Sequence, residues 1–247
     1  MHANHTQGTP YPADVAPSRR SLLLFAVSAL VVPFAGNIVA AKQATAPPKQ
    51  DNQLSPDTAL KRLIEGNDRY VQSVSRGRDL ERERRLLVNG QNPYAAVLSC
   101  ADSRVAPELV FDSGLGDLFV CRLAGNFVND DTLGSLEYAV AALNTPLIMV
   151  LGHDHCGAID ATINSLDEGK PAPGHIRSLV SALAPAVRGA RHQPGDSSAD
   201  VIRQNVIDNV NKLKSASPIL NPAVEQKTLK IVGGLYRLET GRVDVLS

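Results

Sequence analysis

A thiol at Cys100, an imidazole at His153 and a second thiol at Cys156 form the donor set of this chain best suited to hold a metal ion. Two thiolates and an imidazole match the preference of Zn²⁺. Three protein ligands also leave a fourth position open for water, the pattern of a catalytic rather than a structural zinc site. Taken singly, each thiol reads as a small buried hydrophobe and the histidine as a hydrogen-bonded loop residue. Together, each beside a strand end, they read as ligands. His153 lies fifty-three residues beyond Cys100, so the fold, not local spacing, must join them. Cys156 follows His153 closely enough for the chain to turn back to the same ion as a helix begins.

The positioning elements are two apolar runs, Ala95 to Ser99 and Leu147 to Leu151, each ending at a ligand motif. Short continuous aliphatic runs of this kind are expected for strands buried on both faces of a parallel sheet. In open α/β sheets ligands bind at the carboxyl ends of strands, so neighbouring strands would deliver Cys100 and His153 to one crevice. Leu118 to Arg122 is a third strand-like run, and its Cys121 reads as a core thiol. Leu133, Leu136, Val140 and Leu143 mark a helix that stops before Asn144-Thr145-Pro146, which gives strand–helix–strand alternation. Helices are expected from Cys156 to about Leu166 and again around Ile176–Leu183 and Val201–Leu213. A strand over Leu229–Leu235 and a turn at Glu239-Thr240-Gly241 then lead into Arg242–Leu246. The fold class is therefore α/β, a parallel-rich sheet flanked by helices.

Five blocks in order carry a resemblance. They are Cys100-Ala-Asp-Ser-Arg-Val, Pro107-Glu-Leu-Val-Phe-Asp, Gly116-Asp-Leu-Phe-Val-Cys-Arg-Leu-Ala-Gly-Asn, Ser135-Leu-Glu-Tyr-Ala-Val and Gly152-His-Asp-His-Cys-Gly-Ala. From about Ser55 to its end, the chain resembles the β-class carbonic anhydrases. The resemblance puts the family's zinc ligands on Cys100, His153 and Cys156 and its Asp/Arg pair on Asp102 and Arg104. In some members the matching Asp is a fourth ligand that closes the site, which Arg104 would oppose. Residues flanking the substrate would be Gln91, Phe119 and Tyr138. Ser113 departs from the Gln of many bacterial relatives, and Asp154 from the usual Ser, Thr or Glu. The chain has no Trp, so it lacks the residue on which the bicarbonate regulatory site of another branch depends.

The implied reaction is reversible hydration of CO₂ to bicarbonate and a proton through zinc-bound hydroxide. Two thiolates neutralise Zn²⁺ and make it a weaker Lewis acid than a three-histidine site, so neighbouring groups must help. Asp102, held ionised by Arg104, is placed to orient the nucleophile. Apolar Phe119 beside the amide of Gln91 suits CO₂ and its product. Two alternatives stay open: hydrolysis of a CO₂ analogue such as CS₂ or COS, and a zinc-stabilised bicarbonate-binding protein without turnover. His155 and His175 read as polar surface residues.

The 247 residues suffice for one domain plus an N-terminal extension. Lys and Arg number 25 and Asp and Glu 25, and no basic stripe or phosphate-binding loop is present, which argues against a nucleic-acid partner. Residues 1–41 read as a twin-arginine export signal, with Arg19-Arg20 before an apolar segment from Leu22 to Ala35 and small residues at Val39-Ala40-Ala41. The alternative is an uncleaved anchor, but Pro33, Gly36 and Asn37 interrupt the segment short of a membrane span. The expected location is periplasmic or otherwise exported, with no stable membrane anchor once the signal is removed. Polar, Pro-containing residues 42–54 read as a disordered linker, and residues 55–247 as the catalytic domain. Ser55-Pro56 starts a helix whose face carries Leu60, Leu63, Ile64, Tyr70 and Val71. In the resembled family such an arm wraps a partner subunit, which implies a homodimer or a dimer of dimers, whereas a stripe of this kind taken alone more often packs on its own sheet.

Overall fold

The computed structural model describes residues 49–190 and 197–246. The export signal and most of the linker lie outside them. Five strands form one sheet: β1 (Ala95–Ser99), β2 (Leu118–Arg122), β3 (Leu147–His153), β4 (Lys230–Tyr236) and β5 (Val243–Leu246). Their order is β2-β1-β3-β4-β5, parallel throughout except for the antiparallel β4–β5 pair. β1 and β3 are buried along their whole length. Alternation then divides their side chains between two apolar layers. Ala96, Leu98, Ile148 and Val150 face one layer. Ala95, Val97, Leu147, Met149 and Leu151 face the other.

Eight α-helices accompany the sheet among the described residues: α1 (Pro56–Val71), α2 (Leu80–Leu86), α3 (Pro107–Val110), α4 (Asp130–Ala141), α5 (Gly157–Asp167), α6 (Ile176–Ala190), α7 (Ser198–Lys214) and α8 (Leu220–Glu225). α1 begins as its sequence dictates, with the Ser55 hydroxyl accepting from Thr58 N–H and Pro56 in the first turn. No helix among the described residues is long and apolar enough to cross a membrane.

At the linker boundary and at α2 the fold differs from the sequence reading. The end of the supposed linker is folded: Asn52 is buried and donates to the Asn92 carbonyl (2.8 Å) and to Asp117 (3.1 Å), while Lys49 pairs with Asp117 at 2.8 Å. These partners lie far along the chain, so local composition does not announce them. α1 packs on its own sheet, burying Ala59 and Leu63 completely in the layer of Val97 and Met149, the reading that the apolar stripe alone favours. α2 was not anticipated, because Leu-Glu-Arg-Glu-Arg-Arg-Leu has no apolar stripe and none of its residues is buried. It is held by Asp79, which caps Arg82 N–H at 2.9 Å, and by the Glu81–Arg85 pair.

α7 lies close against β3 and β4. A Cβ on Gly152 would stand 2.7 Å from Val206 Cγ2, and one on Gly233 2.7 Å from Val206 Cγ1. Val206 therefore seats over two glycines that no other residue could replace without displacement. Gly152 directly precedes His153, so this contact fixes the height of β3 just where the ligand emerges.

Candidate metal centre

Cys100 follows the last residue of β1, His153 is the last residue of β3, and Cys156 occupies the N-cap of α5. β1 and β3 are hydrogen-bonded neighbours, with Ser99 opposite Leu151. Their carboxyl ends bring the three side chains to one place, with the ligand atoms all within 4.8 Å of one another and all three residues buried. His155 adopts φ of 51° in the intervening turn and is exposed, which swings Cys156 back toward the cluster and leaves the His155 ring outside it. His175 is exposed as well, and Cys121 sits apart on β2.

The chemistry of the donors fits a cation. His153 Nδ1 lies 2.8 Å from the Asp154 carbonyl, so this nitrogen carries the proton and donates it. Nε2 is thereby left with a lone pair, and it is buried without a hydrogen-bond partner. An orphaned buried acceptor facing two thiols is what a metal ligand looks like. The two thiols are too close to ionise together. The hydrogen bond from Cys156 comes first among the effects that draw the Cys100 thiol well below its usual range, with the Gly125 N–H (3.4 Å) adding to it. The same contact, with burial, pushes Cys156 up. A divalent cation relieves that competition and accepts both thiolates.

Asp102 and Arg104 form a well-made pair at the rim. Arg104 donates from Nε to Oδ1 (2.9 Å), from Nη2 to Oδ2 (2.7 Å) and from its backbone N–H to Oδ1 (2.9 Å). These bonds hold the carboxyl well below the ordinary carboxylate range, so it stays an acceptor. Asp102 Oδ2 stands 3.9 Å from His153 Nε2, facing the cluster. Arg104 also reaches the His155 carbonyl at 3.2 Å, tying the two ligand loops together.

Arg122 was missed in the sequence. At the end of β2, opposite Ser99, it donates to the Cys100 carbonyl (3.0 Å) and the Asp102 carbonyl (2.7 Å), so one side chain braces the ligand loop. The signal available was its place at the carboxyl end of a strand beside β1.

Gln91, Phe119 and Tyr138 are not gathered at this cluster within one chain. Phe119 and Tyr138 do meet, with ring centroids 6.4 Å apart. Phe119, however, pairs with Ala96, four residues before Cys100, roughly 13 Å along the strand. Gln91 is exposed and precedes β1, at the end of the strand away from Cys100.

A parallel sheet carrying a buried Cys-His-Cys cluster at adjacent strand ends, with an Asp–Arg pair at its rim, defines a metal-dependent α/β enzyme. The carbonic anhydrase family profile matches residues 95–243. A carbonic anhydrase of Mycolicibacterium smegmatis is 42% identical over 196 residues, spanning 78% of this chain and 94% of that protein. Carbonic anhydrase 2 of Mycobacterium tuberculosis is 42% identical over 193 residues, spanning 76% and 91%. Among solved structures, the β-carbonic anhydrase CcaA aligns with a TM-score of 0.60 at 29% identity, over 76% of this chain and 95% of that one. A Coccomyxa β-carbonic anhydrase in complex with acetazolamide aligns with a TM-score of 0.59 at 27% identity, over 76% and 86%. The chain belongs to the β-carbonic anhydrase family.

Proposed function

We propose that this enzyme catalyses the reversible hydration of CO₂ to bicarbonate and a proton with a zinc ion held by Cys100, His153 and Cys156. The observation that carries the metal assignment is the unpartnered, fully buried His153 Nε2 facing two thiols at 4.8 Å or less. Family membership favours CO₂ over CS₂ or COS, and favours turnover over a bicarbonate-binding role alone.

A zinc ion held by these three residues would supply Lewis acidity to a water at the open position. The chain does the rest. The Asp154 carbonyl holds the proton on His153 Nδ1 and keeps Nε2 free to ligate. Asp102, kept ionised by Arg104, accepts a hydrogen bond from the attacking water and directs its oxygen toward CO₂. Arg104 also holds this carboxylate, 3.9 Å from His153 Nε2, away from the position where it would otherwise serve as a further donor to the ion. Arg122 and Arg104 hold the ligand loops still while charge moves.

Gln91, Phe119 and Tyr138 flank the substrate in a homodimer, where a second copy completes a pocket that one chain leaves dispersed. Supporting this reading, Leu80, Leu109 and Leu115 are exposed apolar side chains along one groove with Tyr70. Export by the twin-arginine route is proposed on Arg19-Arg20 and the apolar segment after them. Zinc bound in the cytosol would protect both ligand thiols from oxidation before the protein reaches an oxidising compartment.

Stopped-flow assays with CO₂, CS₂ and COS side by side test the reaction. Rapid CO₂ hydration with negligible turnover of the sulfur analogues is expected, and the reverse ranking would overturn the assignment. Light scattering of the purified protein should give at least a dimer, and a monomer of full activity would refute the shared pocket.

A further inference from the structure

We infer that Asn205 and Asn209 on α7 are positioning residues for the metal centre, acting through the Gly125–Val128 loop on Cys100. The inference rests on the zinc site proposed above and reaches beyond it to residues that touch neither metal nor substrate. Both asparagines are buried. Asn205 Nδ2 donates to the Gly125 carbonyl at 2.9 Å. Asn209 Oδ1 accepts from Val128 N–H at 2.6 Å, and Lys212 Nζ donates to the Val128 carbonyl at 2.8 Å.

The two amides also lock each other. Asn209 Nδ2 donates to the Asn205 carbonyl (2.7 Å) and to Asn205 Oδ1 (3.0 Å), so neither side chain can flip without losing a bond. Buried amides satisfied on both ends form a rigid strut rather than a casual polar contact.

What the strut holds is the donor to a metal ligand. Gly125 N–H points at Cys100 Sγ, 3.4 Å away. Gly125 sits at φ of +90°, a conformation open to glycine, and a Cβ there would meet Leu183 Cδ1 at 2.7 Å. The loop is therefore clamped between Leu183 of α6 and the asparagines of α7, with the Gly125 N–H aimed at the sulfur. An N–H···S bond withdraws charge from a thiolate, which leaves the cation more electrophilic than two free thiolates would. In a site with two sulfur ligands that withdrawal matters most. Neighbours of this kind shift metal affinity or activity by about 10- to 100-fold when removed.

Cobalt substitution of the full chain reads the effect at the sulfur itself. The wild type should take up one Co²⁺ with thiolate-to-metal absorption in the near ultraviolet; absence of that band would refute the metal site rather than the strut. Asn205→Ala should shift the band and speed release of Zn²⁺ to a chelator by about tenfold. Asn209→Ala, which frees the Asn205 amide without touching Gly125, should give a smaller shift in the same direction and serves if Asn205→Ala does not fold. Leu213→Ala removes a fully buried side chain of the same helix that shares the apolar layer of Phe127 and Val128 but makes no hydrogen bond to the loop. It should lower stability while leaving the band and the release rate unchanged. Asparagine variants that match Leu213→Ala in both readouts would overturn the proposal.

Discussion

Replacing Gly152 with alanine probes the link between packing and metal binding. The new Cβ would lie 2.7 Å from Val206 Cγ2, 3.2 Å from Leu235 Cδ2 and 3.4 Å from Ile202 Cγ2. The first distance is about 1 Å short of ordinary carbon–carbon contact. Val206 is a β-branched side chain on a helix, with little rotamer freedom to yield, and its other methyl is already seated over Gly233. The strand or the helix must therefore move, at a cost of about 1–3 kcal/mol. Because His153 is the next residue, the same displacement should weaken zinc binding by about tenfold. Val206→Ala alone removes two buried methyl groups, worth about 1.6 kcal/mol. In that background Gly152→Ala should cost at least 1 kcal/mol less, at the order of coupling typical of contacting residues. Urea denaturation of the four proteins of the cycle, with zinc release measured on each, checks both numbers. Strictly additive stabilities, or a Gly152→Ala protein with wild-type zinc retention, would refute the reasoning.

Arg104→Ala should reduce CO₂ hydration about 10- to 100-fold with zinc still bound, since it frees Asp102 to turn onto the cluster; stopped-flow rates near wild type would contradict the proposed dyad. Burial alone would raise the Asp112 carboxyl, but donation from Arg69, Ser75 and Arg78 holds it down at about 2. Its folded pKa is depressed, so its stabilisation is present above about pH 4 and lost as pH falls toward 2. The stability gap between wild type and Asp112→Asn should accordingly shrink over that window in chemical denaturation, and a constant gap would show that the ion cluster is not its source. Replacing Arg19 and Arg20 with lysine should leave precursor in the cytosol, as fractionation and immunoblotting would reveal; undiminished export would point to another route.

Much of the candidate metal centre was legible because its residues sit where the apolar runs stop. The run Ala95–Ser99 is β1 to the residue. β3 outlasts its apolar run by two residues, because Gly152 and His153 still pair with Leu235 and Tyr236. α2 escaped notice because charged residues with no buried face carry no helical period. Arg122 and Asn205 escaped for a different reason. Each is an ordinary polar residue in its own segment, and each acquires its role only when a distant loop folds against it. The family resemblance named Gln91, Phe119 and Tyr138 as one pocket, yet no single-chain element brings them to Cys100. The sequence holds no symmetry operator, so the proposed contribution of a second copy would be invisible in it.

X-ray absorption at the zinc edge of the purified protein tests the central claim most directly. The account predicts one zinc per chain with two sulfur neighbours at about 2.3 Å and two lighter neighbours at about 2.0 Å, one of them an imidazole nitrogen. The sulfur signal should fall to one neighbour, or the metal be lost, in Cys100→Ser. A zinc shell made only of nitrogen and oxygen, or a fully active protein free of metal, would contradict it.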